Sequence, residues 1–283
     1  MINLSKKNIV KVSNESGFLK DNVEKVMRLI DILETIFSSE WKNKLVLKGG
    51  TAINLFYSGM SRLSVDIDMD YIGETKKEML TDKENFREYL KSILFQKGYT
   101  SSDASKRYYA LDSYIFQYVN NGGNKDNIKI DINYMNRTHL LHFEKKTISA
   151  LGYENNLEIS VMNKDELYGS KIAALIDRGK PRDIYDVFRV LDLGIINHSQ
   201  LLKKCLIFYN CIGGDATIID KKYTMMDYAT PRDYKTMLKP LLTKKERFDQ
   251  EAAKEKIKHF LDNLLVFSDN EKKFVERIKE NEY

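Results

Sequence analysis

The run Val65-Asp66-Ile67-Asp68-Met69-Asp70-Tyr71 alternates apolar and acidic residues without a break. Side chains of a strand point to opposite faces in turn. As a strand, this segment puts Asp66, Asp68 and Asp70 on one face and Val65, Ile67, Met69 and Tyr71 on the other. Three like charges on one face repel, which destabilises the strand unless basic groups or a metal offset them. A half-exposed strand also alternates polar with apolar, but its polar positions are ordinarily mixed. Three aspartates with no cation between them point to a bound cation. Asp70, furthest along, is the member expected to be merely exposed.

One short helix upstream stands Lys48-Gly49-Gly50-Thr51. Glycine reaches positive φ and brings backbone N–H groups close to a ligand with no Cβ in the way. Thr51 at a helix start adds a hydroxyl and the positive end of the helix dipole, and Lys48 adds a counter-charge for phosphate. Alone, the same residues are a tight strand-to-helix turn. Next to the aspartates they suit a divalent cation and a nucleotide phosphate. Carboxylates two apart on a strand offer the hard oxygen ligands that Mg²⁺ requires, and Mn²⁺ accepts the same set.

The periodicity predicts a helix over 22–38, a buried strand over 45–47 and a helix over 52–57 capped by Thr51. It then predicts the acidic strand over 65–72. A capping-box pattern, Thr81-Asp82-Lys83-Glu84, is expected to open a helix that Gly98 stops. Strands over 108–119 and 128–134 flank the turn Asn120-Asn121-Gly122-Gly123-Asn124. From about 160 the pattern turns helical. Asn163-Lys164-Asp165-Glu166 opens a helix that ends at Gly179-Lys180-Pro181, and another follows over 182–193. The expected architecture is α+β: a mixed-sheet domain over 1–160, then an α-helical domain over 161–283.

Composition narrows the class. The chain has 283 residues, 42% hydrophobic, enough for a real core, and a net charge of +5 that is compatible with a nucleic-acid partner without demonstrating one. No apolar run is long enough to span a bilayer, and Met1 to Lys7 lacks the apolar core of a signal peptide. Cys205 and Cys211 are the only cysteines, which suits a reducing, cytoplasmic compartment rather than a disulfide framework.

Two further groups carry chemistry. Asp131 lies on the strand over 128–134 with Lys129 and Asn133 on its face. It is an ordinary exposed aspartate, or, if that strand neighbours the acidic one, a third carboxylate. In the helical half, Lys171 shares a stripe with Leu167, Ala174 and Leu175 and so faces inward or towards a cleft. A lysine there can neutralise triphosphate charge. Arg178, Lys180, Arg182, Asp183 and Asp186 cluster just beyond; Arg182 and Asp186, four apart, also suit a helical ion pair.

Lys48-Gly49-Gly50-Thr51-Ala52, followed by Arg62-x-Ser64-x-Asp66-Ile67-Asp68, resembles the AbiEii/MenT family of nucleotidyltransferase-like toxins. So do residues 167–186 (LYGSKIAALIDRGKPRDIYD) and the tail 264–278 with Asn270-Glu271 and Phe274. The resemblance implies a polymerase-β-like nucleotidyltransferase core with a helical C-terminal domain. It implies a toxin with a separate antitoxin, often in phage defence, and for some relatives addition of nucleotides to the tRNA acceptor end. Carried onto this chain, Gly50 and Thr51 would hold the triphosphate, with Lys48, Gly49, Arg62 and Ser64 lining the same site. Asp66 and Asp68, with Asp131 as the third carboxylate, would bind metal. Lys171 would contact phosphate, and Arg182, Asp183 and Asp186 would supply a late acidic position, either aspartate serving. Transfer to a protein or small molecule, or non-catalytic nucleotide binding, uses the same residues and stays open.

Overall fold

A computed structural model describes residues 2–213, 218 and 223–280. The helical reading of the remaining positions lies outside these residues. The chain divides into two compact units: one of residues 1–162 with 241–245, the other of residues 163–240 with 246–283.

The first unit is built on one mixed sheet. Its strands are β1 (Leu45–Lys48), β2 (Asp66–Tyr71), β3 (Thr100–Ser101), β4 (Lys106–Arg107), β5 (Leu111–Val119), β6 (Lys125–Asn133), β7 (Glu144–Ala150) and β8 (Tyr153–Val161). They run in the order β3-β5-β6-β2-β1-β8-β7, with β4 also on β5. β2 pairs parallel to β6 and antiparallel to β1. β5 and β6 form the hairpin expected around residues 120–124, where Asn120 Oδ1 accepts from the N–H groups of Gly122 and Asn124.

One face of this sheet is the core. Ile67, Met69 and Tyr71 of β2, Ile128, Ile130 and Ile132 of β6, and Tyr114, Phe116 and Tyr118 of β5 are all buried there. Each such side chain stabilises the fold by roughly 1.5–3 kcal/mol. Helices α2 (Lys20–Phe37) and α4 (Lys76–Gln96) cover it. The Arg28 guanidinium lies 4.3 Å from the Tyr118 ring centroid, and the Tyr71 hydroxyl donates to Asp82 at 2.6 Å. α1 (Lys6–Ser16) packs on α2, and α3 (Gly49–Phe56) follows β1.

Two local expectations need correction. α3 begins at Gly49 with Lys48 at the cap position, so Thr51 lies inside the first turn and does not cap. α4 begins at Lys76, because Thr75 and Glu78 form the start signal six residues earlier: Thr75 Oγ1 accepts from Glu78 N–H, and Glu78 accepts from Glu74 N–H. Thr81 is interior and donates to Lys77 O. The β7–β8 hairpin and α1 have no counterpart in the sequence reading, since their apolar residues are too sparse to show a period.

The second unit is helical: α5 (Lys164–Arg178), α6 (Pro181–Asp192), α7 (Gln200–Ile212), the one-turn α8 (Pro231–Asp233), α9 (Gln250–Leu264) and α10 (Asp269–Lys279). α5 stops as expected: Gly179 adopts φ of 55°, and Pro181 starts α6. α5 and α7 approach closely at Gly169, where a Cβ would lie 2.6 Å from Cys205 Cβ. Tyr209 donates to Glu166 across the same pair at 2.7 Å. Cys205 and Cys211 are buried free thiols. Among the described residues no helix is long and apolar enough to cross a membrane.

The first unit also seals an ion pair in its interior. Lys83 of α4 lies 3.0 Å from Asp112 of β5, which also accepts from the Tyr114 hydroxyl at 2.8 Å. Removing one member strands the other charge. Asp112→Ala is expected to destabilise the protein by about 3 kcal/mol or more in urea unfolding, and Lys83→Met/Asp112→Ala by less.

Candidate active site

The register of β1, β2 and β6 assembles the acidic face. Asp68 is the partner of Asp131 across the parallel β2–β6 pair, and Asp66 is the partner of Lys129. Asp68 also faces Lys48 on β1, and Asp131 faces Ser113 on β5, which faces Lys106 on β4. Directly paired residues share a face. Lys48, Asp68, Asp131, Ser113 and Lys106 therefore form one row across five strands, opposite the apolar core. The strand carrying Asp131 does neighbour the acidic strand.

The Gly-Gly turn closes over this row. Gly49 adopts φ of 69°, and a Cβ there would lie 2.4 Å from Asp68 Oδ2. Both the backbone and the carboxylate thus demand glycine. A Cβ on Gly50 would lie 2.9 Å from Arg62 Nη2 and from Ser64 Oγ. Arg62 is only 2% exposed and donates to Leu63 O at 2.8 Å; Ser64 is also buried. These two side chains form the floor of the turn. Thr51 is buried as well, and its hydroxyl donates to the Asp66 carbonyl at 2.5 Å, tying α3 to the start of β2.

Asp70 departs from expectation. It is fully buried, not exposed, with Lys48 Nζ 2.5 Å away and His139 Nε2 3.6 Å away. A carboxylate out of water must be paired, and Lys48 supplies the charge. Lys48 therefore answers Asp70, whereas the sequence reading gave it to phosphate. His139 was not singled out in the sequence, and a lone histidine in a loop carries no signal there.

The other two aspartates differ from Asp70. Burial, reinforced by the neighbouring charges of Asp66 and Asp131, pushes the Asp68 carboxyl up to about 6, against the pull of Lys48 and Lys129. Asp131 accepts from Ser113 Oγ at 2.6 Å and from Lys129 Nζ at 2.5 Å. Among the described residues, no three acidic, histidine or cysteine side chains converge as a finished metal cluster. The donors still fit a hard divalent cation. They are carboxylate oxygens on adjacent register positions, and their mutual repulsion adds to the burial that lifts Asp68.

In the second unit the expected cluster also forms. Lys171 is nearly buried, at 10% side-chain exposure, and its Nζ lies 2.7 Å from both Asp183 and Asp186. Arg178 makes two hydrogen bonds to Asp183, at 2.7 and 3.1 Å. Burial opposes ionisation of Asp183, but Lys171 and Arg178 outweigh it and hold the carboxyl well below its usual range. Arg182 stands on the first turn of α6, and Asp186 pairs with Lys171. The structure thus brings Lys171, Asp183 and Asp186 together in one unit, and Asp66, Asp68 and Asp131 together in the other.

The raised Asp68 carboxyl has a pH consequence. Its folded pKa lies above the ordinary aspartate value, so the native state favours the protonated form. That contribution is complete below about pH 4 and is lost as pH rises through about 6. In EDTA, Asp68→Asn is expected to raise stability at pH 8, by on the order of 3 kcal/mol at most, and to remove the corresponding slope between pH 4 and 6 in urea melts. Gly49→Ala is expected to cost about 2 kcal/mol or more, read in the same melts, and to displace Asp68.

No curated protein matches the chain. Among solved structures it resembles MenT4, a nucleotidyltransferase toxin of Mycobacterium tuberculosis H37Rv, with 12% identity, 99% of each chain covered and a TM-score of 0.63. It also resembles JHP933 of Helicobacter pylori, with 16% identity, 94% of each chain covered and a TM-score of 0.52. At these identities the likeness is one of fold. The model of the nucleotidyl transferase AbiEii toxin family, a type IV toxin–antitoxin system, matches residues 31–275. This chain belongs to the AbiEii family of nucleotidyltransferase toxins.

Proposed function

We propose that this toxin moves a nucleotide from a nucleoside triphosphate to the 3′ hydroxyl of an RNA, the tRNA acceptor end, and so blocks translation. The observation that supports a divalent-cation reaction is the parallel register that sets Asp68 beside Asp131 beneath the Gly49 turn. In the reaction the acceptor oxygen attacks the α-phosphorus. A new P–O bond forms, the bond to the bridging oxygen breaks, and pyrophosphate leaves.

Asp66 and Asp68, with Asp131 as the third carboxylate, are the residues proposed to hold Mg²⁺, or Mn²⁺ in its place. When bound, the cation supplies charge neutralisation at the phosphates and an acidified acceptor hydroxyl. The carboxylate face receives the hydroxyl proton on an aspartate oxygen. The backbone N–H groups at Gly50 and Thr51, at the start of α3, are proposed to hold triphosphate oxygens. Lys171 is proposed to neutralise phosphate charge, with Asp183 and Asp186 fixing its ammonium group. Arg62 and Ser64 act indirectly, by shaping the turn. A cognate antitoxin is the expected protein partner, and phage defence the expected setting.

The test is direct. Purified protein is incubated with Mg²⁺, total tRNA and each α-labelled nucleoside triphosphate in turn, with Asp68→Asn alongside. Label is expected in tRNA from one nucleotide, and its loss by at least ~10²-fold in the variant. Label in protein or a small product would move the acceptor elsewhere. Nucleotide bound without any labelled product would point to a binding regulator.

A further inference from the structure

One cation on the acidic face has no part in the reaction proposed above. Lys129 stands on β6, two residues before Asp131 and in register with Asp66 on β2. The alternation of a strand therefore turns it to the side that carries Asp66, Asp68 and Asp131. Its Nζ lies 2.5 Å from Asp131 Oδ2. The other Asp131 oxygen, Oδ1, accepts from Ser113 Oγ at 2.6 Å. Both oxygens of the third carboxylate are thus engaged in the protein as it stands.

The acidic neighbours that disfavour charge on Asp68 favour it on Lys129. Burial disfavours its charge, but the hydrogen bond to Asp131 and the fields of Asp131, Asp66 and Asp68 more than compensate and raise its pKa. Its side chain is 41% exposed, so the ammonium group is free to leave without unpacking the sheet. Lys48, the other flanking cation, is committed to the buried Asp70. Lys129 is the neighbour whose partner is a candidate metal ligand.

We propose that Lys129 is the built-in counter-ion of the carboxylate face: it holds Asp131 in the cation-free protein and yields Asp131 Oδ2 when a divalent cation arrives. This rests on the nucleotidyltransferase reading above. An ammonium group and a divalent cation drawing on the same oxygens repel each other. Lys129 therefore weakens cation binding and sets the cation concentration at which the site fills. It is a positioning residue, acting through Asp131.

The experiment measures Mn²⁺ binding to the full-length protein without nucleotide, by electron paramagnetic resonance of free Mn²⁺. Wild type is compared with Lys129→Met, Lys129→Gln, Lys129→Arg and Asp68→Asn, all checked for folding by circular dichroism. The expected result is Mn²⁺ binding about fivefold or more tighter in Lys129→Met and Lys129→Gln, wild-type affinity in Lys129→Arg, and loss in Asp68→Asn. Equal or weaker binding in both neutral variants, with Asp68→Asn still abolishing it, would overturn the role of Lys129 and leave the metal site standing. Absence of any Asp68-dependent binding in all the proteins would overturn the metal reading and this inference with it.

Discussion

The first unit is organised by electrostatic repulsion between carboxylates that the strand register forces together. Asp66 and Asp68 are fixed on one face by alternation, and the parallel pairing of β2 with β6 adds Asp131 at the level of Asp68. Nothing within β2 relieves this. Relief comes from the neighbouring strands, with Lys48 on one side and Lys129 on the other. The opposite face, packed with isoleucine and aromatic side chains, holds the register in place. A slip of one residue would bury the aspartates and expose that core, so hydrophobic packing enforces an arrangement that electrostatics alone would reject.

Much of this was legible in the sequence because strand alternation is a strong signal when charge and hydrophobicity alternate together. The β5–β6 hairpin was legible for the same reason, with Asn120 to Asn124 as its turn. The stop at Gly179 and restart at Pro181 came from local chemistry. What was not legible depended on pairing between distant segments. Asp70 looked like the exposed end of a strand, but strand order places Lys48 beside it and a loop brings His139. Arg62 and Ser64 lie beneath Gly50, a placement that no local pattern in the sequence shows. The polar hairpin β7–β8 gave no period to detect.

The three aspartates of one short motif have separate physical roles. Asp70 is a sealed ion-pair partner, Asp68 an acid with a raised pKa under a glycine, and Asp66 a residue whose carbonyl anchors Thr51 and whose side chain faces Lys129 across the pair. The motif is therefore half chemistry and half scaffold. Both halves need the same residue type, which is why composition alone cannot separate them.

The segment 241–245 bears on how such a unit could be isolated. It comes from late in the chain yet is counted with the sheet unit, where Leu241 O accepts from Leu63 N–H and Lys244 N–H donates to Gly17 O. Leu63 directly precedes Ser64 and the acidic strand. A ribosome that has emitted all eight strands has not yet supplied the acceptor for that amide. The polypeptide must be synthesised past residue 244 before the sheet unit holds both of these backbone partners, so an excised fragment ending at 162 would lack a piece of its own architecture.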